Sequence, residues 1–376
     1  MGPFRNSGRK QNSHMTPTAL SEGAPDPVED FLKRRKKATI NDVASLARVS
    51  KKTVSRVINH SPSVRAETRD QVNAIIARIG FKPDPQARGL AFRRSFLLGL
   101  VYDNPNAQYV INIQNGVLDC IRGSGTELVV HPCDKTSPDF IDEIRDFVEL
   151  QRLSGVIVLP PIAENRQLLS ALDDLDVPYV RITAMPGEEN TPPIASTQVV
   201  SRDRMGCRAA AEHLADLGHS RIGFISGPAG YASARQRRQG FDEGLTGRGL
   251  TLDPALIVQG EYTFESGYLA GKALLSQSPR PTAIFSSNDE MAVGVYKAAA
   301  EQGLSIPDDL SVVGYDDAPI AARVTPGLTS VRAPIRDMGR AAADALIAEN
   351  RKDSTIFDTT LIVRQSTGPA VLAFKP

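Results

Sequence analysis

The chain has 376 residues, a length that suggests two or three domains. At 41% hydrophobic and 23% charged it is balanced like an ordinary globular protein, and no apolar run approaches the roughly 18 residues of a membrane span. The net charge of +1 hides a split: residues 1–94 hold 19 Lys/Arg against 8 Asp/Glu, a balance of +11, and the rest hold 25 against 35, a balance of −10. Such a division points to a basic nucleic-acid-binding head on an acidic body. Arg5, Arg9 and Lys10 have no apolar stretch behind them, which argues against a signal peptide. Cys120, Cys133 and Cys207 are odd in number, far apart and without metal spacing, so a reduced, cytoplasmic protein is expected.

In chain order, residues 1–37 are rich in Gly, Pro, Ser and Asn and end in Lys33-Arg34-Arg35-Lys36-Lys37, which predicts a disordered basic arm. Thr39 and Asp42 form a capping box, and Ile40, Val43, Ala44 and Ala47 recur at helical spacing. Arg48-Val49-Ser50 reads as a turn, with Ser50 as the next N-cap. The second helix turns Val54, Val57 and Ile58 inward and Lys51, Lys52, Thr53, Ser55 and Arg56 outward, a face that a major groove accepts. An ordinary helical hairpin with a solvated basic face has the same spacing. A third helix carries Val72, Ile75, Ile76 and Ile79 inward and is closed by Gly80. Asp84-Pro85 offers a cap and a first-turn proline for a short segment through Leu90.

From Phe96 the pattern alternates. Strands are expected at Leu97–Val101, Glu127–His131, Gly155–Leu159, Pro178–Ile182, Arg221–Ile225, Ala283–Phe285 and Leu310–Val313. Helices are expected at Gln114–Arg122, Asp139–Gln151, Met205–Leu217, Arg235–Leu245, Phe264–Leu275, Glu290–Gln302 and Ile335–Ala348. This alternation predicts a doubly wound α/β body, long enough for two lobes.

No catalytic signature is present. Gly223, Gly227 and Gly230 do not match the dinucleotide fingerprint, no phosphate-binding loop exists, and the five histidines lack metal spacing. No enzyme activity and no cofactor are expected. His213 and His219, near a helix end, read as packing and capping residues. A ligand site in such a body belongs at the carboxyl ends of strands, between lobes. Tyr102 and Asn104, then Ser233-Ala234-Arg235, Ser287-Asn288-Asp289 and Tyr315-Asp316-Asp317, lie there. Position alone leaves open whether residues such as Asn288 and Ser233 are simply helix caps.

The stretch Ala38–Asn59, followed by Ser61-Pro62-Ser63-Val64-Arg65-Ala66-Glu67-Thr68-Arg69 and Gly80-Phe81-Lys82-Pro83, resembles the head of the lactose-repressor/galactose-repressor (LacI/GalR) family. The likeness runs from about residue 38 to about 370. It departs at Arg48 and Arg65, where the family usually has Gly and Ser, and at Thr183-Ala184, where it often has Asp-Arg. The resemblance implies a helix-turn-helix head (38–83), a hinge helix (84–94) and a body (95–376) of two lobes like periplasmic sugar-binding proteins. The lobes would be residues 95–198 with 325–358, and 199–324 with 359–370. It implies DNA contacts from Thr39, Ile40, Ser50, Lys51, Lys52, Thr53, Ser55, Arg56 and Asn59, with Arg88 and a wedging Leu90 in the hinge. Candidate effector contacts are Tyr102, Asn104, Tyr109, Arg181, Arg235, Asn288 and Asp316; the resemblance carries Arg235, Asn288 and Asp316 in its Ser-Ala-Arg, Asn-Asp and Gly-Tyr-Asp motifs. The reading is a homodimeric repressor that binds a near-palindromic operator under control of a small ligand, a sugar or glycoside, although Arg, Asn and Asp would equally suit a purine or nucleoside. A dimer is expected over a tetramer because the tail has no leucine heptads. The alternative is a small-molecule-binding protein with a helical appendage, against which Lys51, Lys52, Arg56 and the +11 head argue.

Overall fold

The computed structural model describes residues 26–33, 37–58, 63–82, 96–185, 196–348 and 354–370. Asn59, Arg88, Leu90 and the hinge segment lie outside them. The chain divides near residue 87 into two compact units, a head and a body.

The head contains helices α1 (Pro27–Lys33), α2 (Ile40–Leu46), α3 (Lys51–Ile58) and α4 (Ala66–Ile79). Helix α1 corrects the expectation of a wholly disordered arm. Asp26 accepts from the Val28 amide, Pro27 occupies the first turn, and Val28 is buried against the other helices. The capping box exists as expected: Asp42 N–H donates to Thr39 Oγ1, and Thr39 N–H donates to Asp42 Oδ2 at 2.8 Å. Ser50 Oγ accepts from Thr53 N at 3.1 Å and starts α3. Arg48 takes φ 51°, the left-handed conformation a glycine would adopt at less cost. Arg65 precedes α4 with no side-chain cap, and Gly80 closes it at φ 63°. Val43, Val54, Val57 and Val72 are at most 1% exposed and form the core.

The body holds two six-stranded sheets. The first has the order β11-β5-β4-β3-β1-β2, all parallel: β1 (Leu97–Tyr102), β2 (Glu127–Pro132), β3 (Gly155–Val158), β4 (Tyr179–Ala184), β5 (Thr197–Ser201) and β11 (Thr355–Phe357). Helices α5 (Ala107–Ile121) and α12 (Ile335–Ile347) cover one face, and α6 (Phe140–Gln151) and α7 (Arg166–Asp174) the other. The second has the order β12-β10-β9-β8-β6-β7: β6 (Ile222–Ser226), β7 (Ile257–Gln259), β8 (Ala283–Ser286), β9 (Ser311–Asp316), β10 (Thr329–Arg332) and β12 (Thr360–Ile362), parallel except β10–β12. It is sandwiched by α8 (Asp203–Asp216) and α9 (Ala232–Thr246) on one face and by α10 (Phe264–Leu275) and α11 (Asp289–Glu301) on the other.

Each sheet reverses strand order beside its first strand, at β1/β3 and β6/β8, which opens a crevice at the carboxyl ends. The chain passes between lobes near 202, 333 and 358. The first and third crossings lie close to their expected places, but the second comes about nine residues later than expected: β10 still belongs to the second sheet, and only α12 returns to the first lobe. Strands β5, β7, β10, β11 and β12 and helix α7 were not among the expected elements. His219 is 2% exposed; its ring nitrogens meet Thr282 Oγ1 at 2.9 Å, Ser311 Oγ at 3.0 Å and the Gly368 carbonyl at 3.0 Å, a packing role as read from the sequence.

Candidate functional site

In the head, α3 buries Val54 and Val57 and leaves Ser50, Lys51, Lys52 and Arg56 exposed, with Thr53 and Ser55 half-buried. Gln71 Nε2 of α4 donates to the Ala47 carbonyl at 3.2 Å and fixes the inter-helix turn. The result is a rigid helix with a cationic and hydroxyl-bearing front, projected by an apolar back.

In the body, the two rows of strand ends face one another across a cleft. Asn104, Asn106, Tyr109, Pro160, Thr183, Ala184 and Ser201 line it from the first lobe; Asp203, Tyr231, Ser233, Arg237, Tyr262, Asn288 and Asp316 line it from the second, with Ala333, Ile335 and Met338 at the second crossing. Asn106 Nδ2 donates to Asp316 Oδ2 at 3.1 Å and ties the lobes directly. At the rim Arg235 stands 3.9 Å from Glu164 of the opposite lobe.

The cleft's centre is a buried charge cluster. Arg237 Nε donates to Asp203 Oδ2 at 2.9 Å, a second guanidinium nitrogen donates to the Ser287 carbonyl, and the third lies 3.9 Å from Asp316. Its plane sits 3.6 Å from the Tyr315 ring centre. Ser201 Oγ donates to the other Asp203 oxygen. Burial works against the charge of Arg237, but Asp203 and its other neighbours raise its pKa well above the usual value, so it stays protonated. Burial pushes the Asp316 carboxyl up to about 7; Arg237 pulls it down and Asp203 pushes it further up. Asp316 and Asp317 have φ 104° and 52°, so the loop after β9 is held in a strained turn. Asp317 is fixed there by Arg332 at 2.7 Å and Arg364 at 2.6 Å.

Of the residues expected in an effector site, Asn104, Tyr109, Asn288 and Asp316 are in the cleft. Tyr102, Arg181 and Arg235 are not. Tyr102 packs against the first lobe's core. Arg181 bonds to the Ala163 carbonyl at 3.0 Å and to Ser196 at 2.7 Å, three residues short of the strand's end. Arg235 lies at the rim, its side chain 48% exposed. Two residues on, Arg237 faces into the cleft. Asp203, Asn106, Thr183, Tyr231 and Tyr262 were also missed. Capping and lining prove compatible. Asn288 Oδ1 caps α11 through Met291 N and Asn106 Oδ1 caps α5 through Tyr109 N, yet each amide nitrogen keeps a second hydrogen.

A family model described as bacterial regulatory proteins, lacI family, matches residues 39–84, and one described as a periplasmic binding protein-like domain matches residues 211–367. The chain is 32% identical over 351 residues to the transcriptional regulator CelR of Thermobifida fusca, covering 89% of this chain and 100% of that protein. The chain belongs to the LacI family. The ribose operon repressor of Haemophilus influenzae is 30% identical, over 88% of this chain and 98% of its own length. Among solved structures, the lac repressor dimer bound to operator and an anti-inducer superposes with a TM-score of 0.73 at 28% identity, over 89% of this chain and all of that one. The CelR–cellobiose complex superposes at 0.66 with 30% identity, over 88% and 99%. The family consists of DNA-binding transcription regulators and not of enzymes. No helix among the described residues is long and apolar enough to cross a membrane.

Proposed function

We propose that this protein is a cytoplasmic, homodimeric repressor whose affinity for a near-palindromic operator is set by a sugar held in the interlobe cleft. The observation that carries the reading is the Asn106–Asp316 bond across a cleft lined by amides, carboxylates and three tyrosines, in a body attached to a basic three-helix head. Sugar hydroxyls match amide and carboxylate groups, and the Tyr109, Tyr231 and Tyr262 rings suit the C–H faces of a pyranose. Tyr231 and Tyr262 meet edge-on at 5.2 Å and make a fixed wall.

On the DNA side, α3 enters the major groove with Lys51, Lys52, Ser55 and Arg56 toward base edges and phosphates, while Thr39, Ile40, Ser50 and Thr53 approach the backbone at the helix starts. Two heads related by a two-fold axis read two half-sites. Fluorescence anisotropy with fragments from upstream of the protein's own gene, at several salt concentrations, tests this. A specific fragment bound with a steep salt dependence, and a shift of its Kd by one sugar of a panel, is the expected result. Salt-insensitive or sequence-blind binding would refute the operator assignment.

A further inference from the structure

The charges of the cleft restrict what it admits. Resting on the reading of this cleft as the effector site, we propose that the effector is a polyhydroxylated molecule without an anionic group, and that Asp203 is the specificity-determining residue that keeps carboxylated and phosphorylated sugars out.

Among the described residues, three charged side chains line the cleft: Asp203, Asp316 and Arg237. The cation among them is held beside a carboxylate of the protein itself. Its Nε–H is on Asp203, a second nitrogen is on the Ser287 carbonyl, its face is on Tyr315, and its remaining nitrogen looks toward Asp316. A carboxylate or phosphate needs a guanidinium whose charge is not already balanced, and Asp203 balances this one from 2.9 Å. The two other arginines nearby offer no replacement. Arg181 is directed into the first lobe, onto the Ala163 carbonyl and Ser196, and Arg235 stands at the rim beside Glu164. Above about pH 7, where Asp316 is ionised, an entering anion therefore meets two carboxylates against one guanidinium in a space screened from water, where like charges repel most strongly. Hydroxyl groups meet the opposite situation. They donate to the carboxylates and accept from the second amide hydrogens of Asn106 and Asn288, and each bond replaces one to water.

Asp203 decides the matter because it sits on the first crossing, 1% exposed, and accepts from Arg237 on one carboxylate oxygen while Ser201 Oγ donates to the other. Asp203→Asn keeps an acceptor for Arg237 and removes one negative charge, so the cleft's balance moves toward the cation.

The experiment is calorimetric titration of the full-length protein with a panel of neutral mono- and disaccharides, each paired with its uronic acid and its phosphate ester. A neutral sugar that binds at least tenfold more tightly than both anionic partners is expected. In Asp203→Asn this ratio should fall at least threefold. Should that variant not fold, Asp316→Asn, which retains an acceptor for Asn106, should narrow the ratio in the same direction. A uronate or phosphate ester binding as tightly as its neutral parent, or an unchanged ratio in the folded variants, would overturn the proposal. Absence of any carbohydrate binding, with operator binding intact, would instead remove the sugar reading of the cleft and the proposal with it.

Discussion

Replacing Asp316 by Asn isolates the energetic cost of a carboxyl group buried between the lobes. The group is 8% exposed, and burial raises it from 3.8 to about 7. The folded protein thus favours the protonated form. Between these values it binds more protons than the unfolded chain, so stability is fullest below 3.8 and is lost as pH rises through about 7. The whole displacement corresponds to about 4 kcal/mol, more than half of which falls between about pH 5 and pH 8. Asparagine cannot titrate but can still accept the Asn106 hydrogen bond. The Asp316→Asn protein should therefore keep a flatter stability profile, and near pH 8 it should exceed the parent by up to about 4 kcal/mol, less whatever attraction Arg237 gives up. Urea unfolding followed by far-UV circular dichroism over that pH range measures the difference; the chain has no Trp to report by fluorescence. Profiles that run parallel from pH 5 to 8 would mean that Asp316 is hydrated or paired in a way that this geometry does not contain.

Arg56→Ala should lower the ratio of operator to scrambled-DNA affinity by about 1–3 kcal/mol, whereas Lys51→Ala and Lys52→Ala should each reduce the salt slope by about 0.9 if they reach phosphates; an unchanged ratio and slope would place α3 outside the groove. Gly116→Ala should destabilise the body by about 1–3 kcal/mol, because a Cβ there would lie 1.9 Å from the Arg336 carbonyl where α5 and α12 touch; a neutral substitution in urea melts would show that the helices can part. His219, buried among Thr282, Ser311 and Gly368, has its pKa held below 6.5 chiefly by burial. Its stability contribution is thus present above 6.5 and lost as pH falls through the lowered value, and His219→Gln should blunt that acid loss in the same melts.

Much of the architecture is legible because its elements are periodic or buried on both faces. The expected span Phe264–Leu275 is the observed α10, and the capping box, the Ser50 cap and the Gly80 terminus all stand where the sequence puts them. The missed strands β7, β11 and β12 have three residues each, too few to establish alternation. The family resemblance puts the second crossing at 324, but Leu328 beyond it is fully buried in the second lobe and the sheet continues. Arg235 and Arg237 show a different limit. A motif locates a helix turn, and the helix's packing decides which of two arginines about 200° apart faces the cleft. Asp203 shows a related limit: an Asp is usual in the family near the first crossing, but the register of Ser201-Arg202-Asp203 stays open until the pairing with Arg237, 34 residues away in sequence, is seen.

The crossings and the cleft are one structure. Ser201 and Asp203 flank the first crossing, Ala333 and Ile335 the second, and all four line the cleft. At the third, Thr359 Oγ1 donates to the Arg202 carbonyl at 2.8 Å and accepts from Gly206 N at 3.0 Å, while Asp358 pairs with Arg202 at 2.9 Å. The first and third crossings are therefore laced together, and rotation of one lobe must turn about residues that also line the cleft. A ligand shifts such an equilibrium only by the difference in its contacts with the two arrangements. Here the difference has a definite location, the Asn106–Asp316 bond at 3.1 Å. A sugar that inserts hydroxyls between those groups and keeps both satisfied holds the lobes together, and one that spreads them without replacing the bond leaves a buried carboxyl unpaired and favours opening. On the proposed reading of the cleft, ligand shape at this pair biases the direction of the response, and a few kcal/mol there is enough to move a population from mostly one state to mostly the other.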